Sequence, residues 1–470
     1  MAAELRDIRS AAIDGRMHNA FFQKEQLKNL HDILSKNITE IQDQIARDHH
    51  YTQAEASVEY WLALRCIAEA YKSIDPEQHL QAEYAIAKSK DAPDSREPVG
   101  IVIVEPAQHT FFYSLISALV PTLVHGNCII VQTEKTLLES PKFILSLIES
   151  ALDDHVFKVV YSQLTDDEIA SRHTRILQKQ DTNPRVIAII ERDADLQLAA
   201  KAVASARFSL GGKSPFAPDL VLVNEWVKKD FLSALVQQAS AFISDTAPKD
   251  QVQKLSKSRF HDTILKENLG EVVFSTSEGY ILNVKNRQSP IIQSRSEECY
   301  LAIHSVTSMD DAIDLSRSLG RLGASYIFSS PQAAKYISQF IDSQLAFVNH
   351  IPPQLLYEPM IPFEASYQPG PQTRYSPSLF SLPKPQFISD TDVNRRLRNI
   401  IFKPTAKALQ ELDKEATEEL PEQLRPAKMA YVGFFEQGFI TGAVLMLSGV
   451  ILGLATLSYH GHNYLRSRSL

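Results

Sequence analysis

A parallel α/β body with one long apolar segment near its C-terminal end is the architecture this sequence predicts, and three observations carry the prediction. From Pro98 onward, short β-branched runs alternate with helical stretches. The runs are apolar throughout rather than alternating, as strands buried on both faces are. From Gly438 to Tyr459 the chain reads GFITGAVLMLSGVILGLATLSY, 22 residues without a charge.

The elements follow in order. Before residue 75, apolar residues recur three and four apart in AFFQKEQLKNLHDILSKNITEIQDQI and in ASVEYWLALRCIAEAY, which predicts covering helices. The runs GIVIVEP, CIIVQ, VFKVVYS, VIAII and LVLVN read as strands, and FFYSLISALVPTLV and SPKFILSLIESAL as helices between them. Nine prolines fall in the 34 residues from Pro352 to Pro385, which reads as an extended arm. Glu411 to Lys428 is charged and proline-punctuated, the composition of a linker.

Composition narrows the function. A 470-residue chain of net charge −8 with no basic block is no nucleic-acid binder. Its three cysteines, Cys66, Cys128 and Cys299, are too scattered for a disulfide framework or a four-ligand zinc site, and no metal is expected. Glycine is scarce, 16 residues of 470, so glycine-built phosphate cradles are scarce too. No secretory signal opens the sequence. The uncharged segment is long enough to cross about 30 Å of hydrocarbon, where a core helix of a soluble body is shorter and more patterned. With 11 residues after it, among them Arg466 and Arg468, it reads as a tail anchor leaving the body in the cytoplasm, with the endoplasmic reticulum preferred. Gly438 with Gly442 and Gly449 with Gly453 are small-residue pairs of the kind that let membrane helices approach closely.

Three stretches resemble the aldehyde dehydrogenase superfamily, most of all its class 3, fatty-aldehyde branch. Glu97 to Lys135 is similar to the family's EPLGVV, PWNYP, PALAAGN and KPSE motifs; Asp193 to Val223 to its DADL helix and GQxCxAP loop; Thr307 to Ser329 to its DEAI helix and following strand. The resemblance covers about Glu97 to Phe387. It implies a dinucleotide-type parallel-sheet domain, a second catalytic-type α/β domain and a small β oligomerisation arm. The chain then divides into 1–182 (helices, the dinucleotide-type part and an arm at about 83–104), 183–350 (catalytic-type), 351–410 (proline-rich arm), 411–436 (linker) and 437–460 (anchor).

Carried over one at a time, the family's functional residues mostly fail to match. The cysteine nucleophile aligns with Pro215, which offers no side-chain nucleophile; neighbouring Ser214 has a hydroxyl but no adjacent base. Only Asp181 stands near the place of the glutamate base, and it reads as a turn residue rather than a base. The oxyanion-holding asparagine matches Gln108, an amide of different reach. The ribose-binding lysine aligns with Gln132, with Lys135 close by, and the EIFGP motif is replaced by Arg295 to Tyr300, where Glu297 or Glu298 offers a carboxylate that is otherwise ordinary surface. Between Gly126 and Gly211 lie 84 residues without glycine, so the loops that admit pyrophosphate are missing. LGGKSP at Leu210 to Pro215 mimics the family's base motif and a Walker A loop, but it follows a helix and Arg207 replaces the first glycine. Cys128 matches a scaffold position and reads as core. Two functions result: a membrane-anchored pseudoenzyme without cofactor that binds, scaffolds or forms mixed oligomers, or an active NAD(P)-dependent oxidoreductase of long-chain or terpenoid aldehydes. The expected partners are the bilayer, through residues 438–459, and a homo- or hetero-dimer mate.

Overall fold

The computed structural model describes residues 2–169, 171–178, 184–246, 269–275, 279–295, 298–360, 375–421 and 434–468. Its contacts define two units, Met1–Ser330 with Ile337–Ser389, and Pro331–Tyr336 with Asp390–Leu470.

In the first unit the helical periods of the N-terminal stretch become α1 (Ala2–Ile13), α2 (Ala20–Lys36), α3 (Ile38–His49), α4 (Gln53–Ser73) and α5 (Pro76–Glu83). Their starts follow capping chemistry: Asn19 accepts from the Phe21 and Phe22 amides, Thr52 and Glu55 form a reciprocal capping box, and Asp75 precedes Pro76 at the first helical position. Leu27, Leu30 and Leu34, three and four apart on α2, are fully buried.

After the short strand β1 (Arg96–Pro98) the chain alternates as expected: β2 (Ile101–Glu105), α6 (Phe111–Val124), β3 (Cys128–Gln132), α7 (Glu139–Ala151), β4 (Phe157–Val160), the single-turn α8 (Asp166–Ile169) and β5 (His173–Leu177). The four strands β2 to β5 form one parallel sheet in the order β4-β3-β2-β5. α4 lies against α6 and α2 against α7, which covers the sheet with the N-terminal helices. Asn127 holds the crossover: its Oδ1 accepts from the Gly100 amide at 2.8 Å and its Nδ2 donates to the Phe380 carbonyl at 2.9 Å. Cys128, next to it, is buried at the head of β3, as a core residue.

The second sheet has seven strands: β6 (Val186–Ile190), β7 (Leu220–Asn224), β8 (Glu271–Ser275), β9 (Tyr280–Asn283), β10 (Tyr300–Val306), β11 (Ala324–Phe328) and β12 (Ala346–Val348), ordered β12-β11-β6-β7-β10-β9-β8. All pairs are parallel except β8 with β9. Every residue of β6, β7 and β11 is buried, which is why these runs show no alternation. Helices α9 (Leu196–Phe208) and α10 (Lys228–Thr246) pack on each other beside it.

Three expectations need correction. The arm was placed at about 83–104, but Ile101–Glu105 is an inner strand of the parallel sheet, its first four residues fully buried. Only β1 pairs as an arm, antiparallel with β13 (Ser381–Pro383), extended by the Ala92–Gln386 bridge. The supposed linker and the end of the proline-rich arm hold two helices, Asp392–Phe402 and Ala406–Ala416, each nucleated by a threonine cap, Thr391 and Thr405. Of the proline-rich stretch itself, residues 361–374 lie outside the described residues.

The apolar tail forms one helix, Phe434–Arg468, in which Glu436–His460 is long and apolar enough to cross a membrane and has no buried residue.

Candidate functional site

The loop aligned with the nucleophile joins α9 to β7. Leu210, Gly211 and Gly212 take left-handed backbone, with φ of 52°, 60° and 69°. Leu210 is held there because its amide donates to Glu55 Oε1 at 2.7 Å. Gly212 admits no side chain, since a Cβ there would stand 2.3 Å from Cys299 Sγ.

Beyond this turn four of the loop's carbonyls, those of Ser214, Pro215, Phe216 and Ala217, meet a guanidinium or a hydroxyl. Arg295 donates to the carbonyls of Pro215 at 2.7 Å, Pro184 at 3.0 Å, Ser214 at 3.1 Å and, more weakly, Ala217 at 3.4 Å. The Tyr326 hydroxyl donates to the Phe216 carbonyl at 2.8 Å. Arg207 donates to the Glu298 carbonyl at 3.1 Å, and buried Arg185 pairs with buried Asp219 at 2.7 Å while reaching the carbonyls of Ile291 and Ser294. Burial, followed by the neighbouring Arg207 and Arg185, lowers the Arg295 pKa, and Asp219 opposes the shift. Three guanidiniums near one carboxylate make a buried cationic network in which the Nε atoms of Arg185 and Arg207 have no hydrogen-bond partner. Sequence reading passed over Arg295, Arg185 and Arg207 as site residues; the signal available was Arg295 at the head of the segment replacing EIFGP.

The expected residues now have places. Pro215 is half-buried with its carbonyl under Arg295. Ser214 is fully buried, and its Oγ accepts from the Phe216 amide at 3.3 Å rather than meeting a base. Asp181 and Glu297 lie outside the described residues. Gln108 is exposed, while its neighbours turn inward: His109 Nε2 meets the Leu356 carbonyl at 2.8 Å and Thr110, at φ 45°, donates to the Tyr357 carbonyl at 2.6 Å. Burial brings His109 down to about 4, so its ring is neutral near pH 7 and serves as a staple. Buried Gln178, unforeseen from sequence, ties this loop by accepting from the Ala107 amide and donating to the Ser114 carbonyl and the Tyr375 hydroxyl.

At the dinucleotide-type sheet, Gln132 donates to Glu105 at 2.8 Å and accepts from the Leu164 amide at 3.0 Å. Lys135 is exposed, on a cleft of about 360 Å³ shared with Thr133, Pro141, Lys142 and Tyr161 beyond the carboxyl end of β3. Glu298 is exposed, in the Arg207-bonded turn. The groups present do not fit a dinucleotide. α8, the one helix turn before β5, carries Asp166, Asp167 and Glu168 in its first turn, where a phosphate would be repelled. β5 ends at Leu177 and β6 starts at Val186, so eight residues carry the chain from one sheet to the other. A crossover helix and a further parallel strand need a dozen or more. The pyrophosphate of such a cofactor sits on the helix that follows a strand, and after β5 there is no length for one.

Known proteins place this architecture. The aldehyde dehydrogenase family model matches residues 18–176, ending within β5. Aldehyde dehydrogenase family 3 member B1 is 24% identical over 379 residues in Homo sapiens, covering 71% of this chain and 79% of that protein, and 22% over 369 residues in Mus musculus, covering 69% and 77%. The 4,4'-diaponeurosporen-aldehyde dehydrogenase of Staphylococcus aureus is 21% identical over 371 residues, covering 69% and 79%. In fold, the substrate-bound state of Staphylococcus aureus AldH superimposes with a TM-score of 0.66 at 17% identity, over 85% of this chain and 99% of that one. Two sheets of this order are those of an aldehyde dehydrogenase fold. Together these likenesses support the aldehyde dehydrogenase superfamily, class 3-like, as the family of this chain.

Proposed function

We propose that this chain is a membrane-anchored pseudoenzyme, an aldehyde dehydrogenase scaffold kept for binding or for assembly with a like or active partner subunit as a dimer. The carrying observation is Arg295: its guanidinium occupies the carbonyls of Ser214, Pro215 and Ala217, the loop that in an active enzyme must present a thiolate. Proline at the attacking position supplies no nucleophile. The short β5–β6 connection leaves the hydride acceptor without its phosphate seat. The apolar helix supports single-pass, tail-anchored residence with the body in the cytoplasm, at the endoplasmic reticulum.

The test uses the detergent-purified full chain. Calorimetry should detect no binding of NAD or NADP, and no NADH or NADPH should form from aliphatic aldehydes above a heat-killed control. Pro215→Cys should gain only slow, cofactor-independent reactivity toward thiol reagents. Steady dinucleotide reduction by the unmodified chain would overturn the reading in favour of an NAD(P)-dependent aldehyde oxidoreductase.

A further inference from the structure

The helices Asp392–Phe402 and Ala406–Ala416 stand just ahead of the apolar tail and are tied together by Arg396 and Glu415 at 2.8 Å. On the first helix Val393, Leu397, Ile400 and Ile401 share one stripe at three- and four-residue spacing. The stripe is uncovered at both ends: Val393 is 65% exposed and Ile401 78%. Arg396 and Arg398 flank it, paired with Glu415 and Asp390, and Lys403 follows at the helix end, against Asp392 as the one acid of the helix. A cleft of about 520 Å³ between the helices sets Arg398 and Lys403 beside Phe402 and Ala408.

An uncovered apolar stripe bordered by cations matches the boundary between anionic headgroups and acyl chains. Chain length supports the same occupant. Residues 417–433 separate the pair from the helix beginning at Phe434. Fully extended, that stretch spans at most about 60 Å at ~3.6 Å per residue. With the apolar helix inserted, the pair is held within that distance of the bilayer surface.

We infer that helix Asp392–Phe402 lies on the anionic surface of the membrane that the tail enters, its apolar stripe at the acyl boundary and its arginines on lipid phosphates. The inference rests on the anchoring reading above. Its experiment places the full chain in vesicles of brominated phosphatidylcholine, with or without phosphatidylserine. The reporter is Ile401→Trp, with Trp61→Phe and Trp226→Phe removing two exposed native indoles; Val393→Trp repeats the measurement at the other end of the stripe. The expected result is flotation with the vesicles, a blue-shifted emission, and quenching that is stronger with phosphatidylserine. Arg398→Glu with Lys403→Glu, or high salt, should remove more than half of that quenching. A chain that floats while its reporter stays unshifted and unquenched would overturn this inference and leave anchoring intact. So would a shift that grows with protein density without quenching, which identifies a second copy as the occupant. A chain that fails to float overturns the anchoring reading and this inference with it.

Discussion

Arg295→Met keeps the bulk of the side chain and removes the fork that joins Pro184 to the loop Ser214–Ala217. Three of its hydrogen bonds, at 2.7, 3.0 and 3.1 Å, are well formed, and the fourth, at 3.4 Å, is marginal. Hydrogen bonds to a charged donor contribute about 1.5–3 kcal/mol each at most, and the half-buried site lets water replace part of the loss, so about 1 kcal/mol per good bond is the working figure. The total is about 3 kcal/mol, a fall in melting temperature of roughly 4 °C for a cooperative unit of about 380 residues unfolding with ~2.1 cal/mol/K per residue. Arg295→Lys keeps the charge as a single point donor and should lose an intermediate amount. Thermal unfolding of the full chain in detergent, followed by circular dichroism, measures both. A loss below ~1 kcal/mol for methionine, or a lysine variant indistinguishable from the parent, would show that the loop carbonyls do not depend on this guanidinium and would remove the basis for calling it a plug.

Glu59, fully enclosed and accepting from the Phe112 and Tyr113 amides, has its pKa raised by burial from 4.5 to about 7. The folded state keeps this proton to higher pH than the unfolded chain, so stability falls as pH rises from about 4.5 to 7 and is flat above; Glu59→Gln should be increasingly favoured across that window, by roughly 3 kcal/mol at its top. Urea titrations at several pH values that show a constant difference would contradict this. Gly212→Ala forces a left-handed alanine against Cys299 Sγ and should lose over ~2 kcal/mol, part of it restored by Cys299→Gly; equal losses in both backgrounds would mean that the sulfur is not the obstacle. Removing the residues after Gln437 should turn a carbonate-resistant membrane protein into a soluble one with unchanged body unfolding, and persistence in the pellet would assign the anchor to another segment.

The strands that sequence made legible are those buried on both faces, such as Val186–Ile190 and Leu220–Asn224, where apolar runs leave no other reading. His173–Leu177 was missed because only Ile176 of its five residues is buried, so its composition is that of a surface segment. The helices Asp392–Phe402 and Ala406–Ala416 were hidden by charge, since their stripes face outward and mimic linker composition. At the site, alignment could locate Pro215, Ser214 and Gln132, whose positions depend on local order along the chain. It could not foresee that Gln108 would be exposed beside an inward His109, nor that Arg295 would reach back to a loop some 80 positions earlier, because such bonds are decided by how β10 and β7 bring distant turns together.

The eight residues between β5 and β6 set a limit on what this molecule could become. A missing side chain is one substitution from recovery: cysteine can be written at 215, glutamate at 181, lysine at 132. A missing crossover is a different kind of loss, since no exchange of residues within residues 178–185 creates the dozen or more positions that a helix and strand require. The route back to hydride transfer therefore runs through insertion of a folded segment into an interval between two sheets already packed. On the proposed pseudoenzyme reading, substitution alone explores binding surfaces and partner choice on this scaffold, and does not restore redox chemistry.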